Sequence, residues 1–259
     1  MKKFTKAIAA IMLMTAAIIA VGCKPENDPN NGGGDNGGDD NGGGNDTTVT
    51  VTFTVSGNYQ SHNYVDLGLP SGNLWATCNV GADNPESYGY YLAWGETQPK
   101  DTTYYWDTYK YSATNDFRGL TKYCCNSEFG YNGFYDGLKV LLPEDDAATV
   151  NWGGDWQTPS HSDWEELINN CPNEWITTEN ANGRLFTAAN GNTLFLPAAG
   201  IYGDNLGSFE SHAHYWMNEL TDEGVTVAQD YVFFSYQASL IGSYRCQGES
   251  VRPVLHKSN

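Results

Sequence analysis

Positive charge is what this sequence has least of. Its 259 residues carry 13 lysines and arginines against 31 aspartates and glutamates, a formal net charge of −18. Nucleic-acid binders meet phosphates with clustered Lys and Arg, so this balance excludes nucleic acid as a partner. An acidic surface also repels anionic headgroups, so any hold on a membrane must come from lipid. Histidine is scarce too, at five residues. No His-Glu-x-x-His, Gly-x-Ser-x-Gly, Walker A or EF-hand pattern occurs. The chain therefore lacks the signatures of zinc-protease, serine-hydrolase, nucleotide and calcium-sensor chemistry. The Glu-Pro-Asn and Gln-Pro-Asp triplets of sugar–calcium binding are missing as well. Carboxylates abound, but no motif singles out a catalytic pair. The expectation is no catalytic residue, no cofactor and no metal.

Long apolar runs are almost absent. The one run, residues 7–21, follows Lys2, Lys3 and Lys6 and reads as a signal-peptide core. It falls short of the about 20 apolar residues that a span requires. It ends at Val21-Gly22-Cys23, which resembles a bacterial lipobox, so residues 1–22 are expected to be removed and Cys23 acylated. Residues 27–46 are almost all Asn, Asp and Gly. Such a stretch buries nothing that would offset its ordering entropy. Residues 23–47 read as a lipid-anchored tether, reaching roughly 25 Å. Lys24-Pro25-Glu26-Asn27-Asp28 resembles the export signal of Bacteroidota surface lipoproteins. The expected location is the outer membrane, lipid-anchored and surface-exposed.

Residues 48–257 have globular composition and enough length for one core. The clearest element is a helix over 160–171. Ser160 and Asp163 have capping-box spacing, and Trp164, Leu167, Ile168 and Cys171 share one face before Pro172. Glu166 sits on the opposite face and should tolerate substitution. A second helix is expected over 142–150, with Pro143 at its first position and acidic residues in the first turn. Strands are expected at 49–55, 74–77, 90–94, 193–196, 213–218, 231–236 and 250–255. The class is α+β.

Seven motifs occur in order: Val65-Asp66-Leu67-Gly68-Leu69-Pro70-Ser71-Gly72, Trp75-Ala76-Thr77-Cys78-Asn79-Val80-Gly81-Ala82, Trp94-Gly95-Glu96-Thr97, Asp145-Asp146-Ala147-Ala148, Trp152-Gly153-Gly154, Leu196-Pro197-Ala198-Ala199-Gly200 and Ser250-Val251-Arg252-Pro253-Val254. Together they resemble the Fibrobacter succinogenes major paralogous domain, a family of secreted and lipid-anchored proteins of Bacteroidota. The segment from Trp156 to Leu167 is similar to one in the C-type lectin-like fold, in the branch of formylglycine-generating enzyme. The resemblance implies a single C-type lectin-like domain. That branch's enzymes use two closely spaced C-terminal cysteines, whereas this chain has only Cys246 there. The departure argues against the enzymatic chemistry.

Besides Cys23 there are five cysteines, Cys78, Cys124, Cys125, Cys171 and Cys246, an odd number that leaves at least one thiol unpaired. His212 and His214 alternate as a metal pair would, but nothing at ligand spacing joins them, and a polar pair is the better reading. The real excess is aromatic: 8 Trp, 17 Tyr and 10 Phe. Trp75, Trp156 and Trp164 lie in regular elements and are read as core. Residues 104–137 have many aromatics and no period, and irregular loops are where ligands bind. The candidate ligand-binding residues are Trp94, Glu96, Tyr104, Tyr105, Trp106, Asp107, Tyr109 and Asn115. Stacking rings with a few polar groups suit a neutral glycan or a surface protein. The expectation is a non-enzymatic binding or adhesion module. The rivals are a glycan-active or formylglycine-generating-like enzyme, and a pilus or surface-layer subunit.

Overall fold

The computed structural model describes residues 48–222 and 224–257. The signal peptide, Cys23 and the tether lie outside the described residues. Residues 49–55 form no strand, contrary to their alternation. Their contacts to the body include Val49 N–H to Thr177 O at 2.8 Å and Phe53 against Phe195, with ring centroids 5.6 Å apart. Alternation tells which side chains face inward, not whether a neighbouring backbone is free to pair.

The first hairpin joins β1 (Gly57–Tyr59) to β2 (His62–Val65), and β3 (Leu74–Ala76) pairs next to β2. Its turn residues Gln60 and Ser61 both have positive φ, the requirement of a tight two-residue hairpin turn. Residues 90–94 are irregular. Leu92 makes one bridge to Glu249, and Trp94 N–H reaches Arg245 O at 2.9 Å.

Helix α1 (Ala147–Trp152) starts later than its sequence suggests. Pro143–Asp145 forms a separate 3-10 turn, because Asp146 is the N-cap. The Asp146 carboxylate accepts from Ala148 N–H at 2.9 Å and Thr149 N–H at 3.1 Å. Gly153, at φ 73°, ends the helix in a conformation L side chains avoid. After β4 (Trp156–Gln157), helix α2 (His161–Asn170) has the expected cap: Ser160 and Asp163 bond reciprocally, and Cys171 closes it. Asp163 also meets His256 Nε2 at 3.0 Å, an interaction that raises the His256 pKa.

Strands β5 (Asn173–Thr177), β6 (Asn182–Thr187) and β7 (Thr193–Pro197) form an antiparallel sheet. A short hairpin, β8 (Ile201–Tyr202) with β9 (Leu206–Gly207), leads into β10 (His212–Leu220), β11 (Val227–Phe234) and β12 (Ala238–Tyr244). The expected strand over 250–255 shrinks to β13 (Val254–Leu255). This last strand inserts between β3 and β4, completing a sheet in the order β1-β2-β3-β13-β4.

Two cores result. One gathers Trp75, Trp164, Leu167, Tyr215, Tyr231 and Phe233 beneath α2. The other is built around Trp94, Tyr109, Tyr123, Trp156 and Trp216. Trp75, Trp156 and Trp164 are fully buried, as expected. The five cysteines of the described residues are free thiols. The described residues thus form a β-rich domain with two short α-helices, and none of its helices is long and apolar enough to cross a membrane.

Candidate functional site

The aromatic loop is organised by two buried charges. Arg245, fully buried, has no carboxylate partner among the described residues. Its guanidinium donates to the Tyr109 hydroxyl at 2.7 Å and to the carbonyls of Tyr123, Val225 and Lys122 at 2.8, 3.0 and 2.9 Å. It also lies 5.2–5.9 Å from the ring centres of Tyr109, Trp94 and Tyr123. Carbonyl dipoles and ring faces replace the counter-ion.

Asp145 is the second anchor. Its carboxylate accepts from the Tyr111 hydroxyl, the Tyr123 hydroxyl at 2.7 Å, Lys110 Nζ at 3.3 Å and Lys122 Nζ at 2.5 Å. Burial alone would raise its pKa, but the hydrogen bonds from Lys122, the two tyrosines and Lys110 hold it at about 2. A depressed carboxylate pKa stabilises the fold above its unfolded value of 3.8, and the gain fades as pH falls through the folded value. The shift corresponds to about 2 kcal/mol. Unfolding free energy should therefore drop by about that much between about pH 4 and 2. Asp145→Asn should lose stability at neutral pH and flatten this acid limb, and an unchanged limb would remove Asp145 as its cause.

These anchors decide which candidate residues reach solvent. Trp94, Glu96, Tyr104 and Tyr109 do not, which corrects the expectation for those four. Trp94 is buried and its indole N–H donates to Met217 O at 2.8 Å. Glu96 pairs with Lys100 at 3.0 Å and accepts from Lys110 N–H at 2.8 Å. Tyr104 packs its ring on Gly248, where an added Cβ would lie 2.8 Å from the ring carbons. The gap beside Trp94 and Glu96 holds only about 10 Å³, at the limit for one water. These residues position the loop and offer no face to a ligand.

Tyr105, Trp106, Asp107 and Asn115 stay at the surface. With Thr103 and Asp204 they line an open depression of about 450 Å³. Tyr105 is 46 % exposed and Trp106 half-buried. The tip is turned by Thr108, whose N–H donates to Tyr105 O at 3.1 Å and whose hydroxyl donates to Thr103 O at 2.7 Å. The Trp106 ring meets the rings of Tyr109, Phe117 and Tyr244 edge-on, with centroids 5.6–6.5 Å apart. Tyr109 is itself fixed by Arg245, so the exposed indole stands on a rigid base. Asp204, on the β8–β9 hairpin, and Tyr244, at the end of β12, are missing from the sequence-based set. Nothing local marks them, since they join the loop only through the fold.

A second cluster lies inside the sheet. His214 Nδ1 is 2.6 Å from Asp230 Oδ2 and 3.8 Å from Glu249 Oε1. His212 is not part of it and stacks edge-on to the His214 ring. Burial, and then the adjoining Asp230 carboxylate, hold the Glu249 carboxyl well above its ordinary range. Among the described residues these three are the group placed to share a metal ion.

No protein-family model, curated protein or solved structure matches this chain.

Proposed function

We propose that the domain is a non-enzymatic binding module of a surface lipoprotein, with a C-type lectin-like fold, and that it holds a neutral glycan at the Tyr105–Trp106 depression. The observation that carries this reading is the half-exposed indole of Trp106. It is braced by three aromatic neighbours beside the exposed ring of Tyr105. Rigid rings present area to a sugar at small entropic cost. Asp107, Asn115 and Asp204 supply acceptors and an amide for hydroxyls. Two carboxylates on the rim disfavour acidic ligands. The lectin-like reading is supported by the pairing of β13, distant in sequence, beside β3 and by the long irregular loop over 104–137, whose Tyr109 and Tyr123 enter the core while Tyr105 and Trp106 stay at the surface.

Binding of the full chain to a glycan array, compared with Trp106→Ala, tests the site. The variant should lose at least about tenfold in affinity, the equivalent of about 1.4 kcal/mol, with an unchanged circular dichroism spectrum. Equal binding by both proteins would dismiss the depression. Cleaved product from any bound glycan would favour a glycan-active enzyme instead.

A further inference from the structure

We propose that His214, Asp230 and Glu249 hold a single divalent transition-metal ion, zinc foremost, within the β10–β11–β12 sheet and the segment packed on it. This site is separate from the glycan-binding depression and does not depend on it.

The backbone places the three side chains. In the β10–β11 register His214 faces Val232 and Trp216 faces Asp230, so His214 and Asp230 are diagonal neighbours on one sheet face. Glu249 comes from the chain beyond β12. It is locked there by hydrogen bonds with Leu92 in both directions, at 3.0 and 3.1 Å. That bridge fixes the backbone from which its buried carboxylate reaches the sheet. The ligand atoms of the three residues all lie within 4.8 Å of one another.

The electrostatics of this arrangement call for a cation. Asp230 and Glu249 are both fully buried. Among the described residues neither pairs with a lysine or arginine, and His214 is the sole basic group within reach. One imidazolium balances at most one of two carboxylates. Three buried oxygens, Asp230 Oδ1 and both of Glu249, have no hydrogen-bond partner. Native proteins rarely leave such groups orphaned. A divalent ion neutralises both carboxylates and gives these oxygens a use.

The donor set selects the ion. One imidazole nitrogen with two carboxylate oxygens suits zinc, manganese or ferrous iron. Calcium prefers six to eight oxygens, and the cluster has too few. Ser243 Oγ lies 3.1 Å from Asp230 Oδ2 and 3.4 Å from His214 Nδ1, where it orients these ligands. Metal binding at Nδ1 displaces the proton now shared with Asp230. The His214 side chain is only 12 % exposed, so the ion would tie Glu249 to the sheet rather than meet substrate.

The test uses the full chain, stripped with EDTA, incubated with zinc chloride and desalted. Elemental analysis should find one zinc per chain, and thermal unfolding should shift upward relative to the EDTA-treated protein. Glu249→Gln and His214→Gln should each retain no zinc and show no shift. Cobalt chloride should give wild type a visible absorption band that both variants lack. His214→Gln keeps both carboxylates, so it serves if Glu249→Gln does not fold. The proposal is overturned if wild type retains no zinc and melts at the same temperature with and without it. Retention by both variants equal to wild type overturns it too. A Glu249→Gln protein more stable than wild type, alongside a wild type without zinc, would mean that the carboxyls share a proton instead.

Discussion

Replacing Arg245 by Met should destabilise the domain by about 3–5 kcal/mol. The substitution keeps most of the volume and removes a buried charge, which by itself costs little. What it leaves behind decides the outcome. Three carbonyls, of Tyr123, Val225 and Lys122, and the Tyr109 hydroxyl lose their donor in a closed interior. Each orphaned acceptor costs about 1–3 kcal/mol, less whatever water entry recovers. Arg245→Lys should recover only part, because a point ammonium cannot reach four acceptors in different directions. Urea unfolding measures this as a lower midpoint at unchanged slope. A loss below about 1 kcal/mol would mean that the carbonyls find other donors and that Arg245 does not organise the loop.

Leu167→Ala should cost about 2–5 kcal/mol, since its side chain is fully buried among Trp75, Trp164 and Tyr231. Its neighbour Glu166 is the instructive control. Its place on the outer face of α2 suggests an inert position, and the structure corrects that. The Glu166 carboxylate accepts from Ser71 N–H at 2.8 Å and from the Ser71 hydroxyl at 2.5 Å, joining α2 to the turn before β3. Glu166→Ala should therefore cost about 1 kcal/mol, and Ser71→Ala should remove part of the same term. Equal losses at positions 166 and 167 would contradict the burial of Leu167.

The contrast between these two residues shows where sequence reasoning reaches. Helix α2 was legible because its cap, apolar face and stop lie within thirteen residues and each reports on the same element. Strands β7, β10 and β11 were legible from β-branched and aromatic content. Strands β5, β6 and β12 were not, because their polar residues hide the alternation and their partners define them. In the loop, eight residues were candidates, and the structure exposes Tyr105, Trp106, Asp107 and Asn115 while burying the other four. A loop without periodicity carries no local record of inside and outside. Here that record is written by Asp145 and Arg245, one of which lies more than a hundred residues further along the chain.

The position of β13 bears on how the domain closes. Strands β3 and β4 meet through Val254 and Leu255, which pair with Trp75 and Leu74 on one side and with Gln157 and Trp156 on the other. Trp75 must wait for a partner about 180 residues downstream, a long loop to close. Until that loop closes, β3 and β4 each present an open edge that invites pairing with other chains. A chain cut before Val254 cannot complete this sheet. The sheet is thus joined by its most distant contact, so that losing β13 parts β3 from β4 and opens two edges at once.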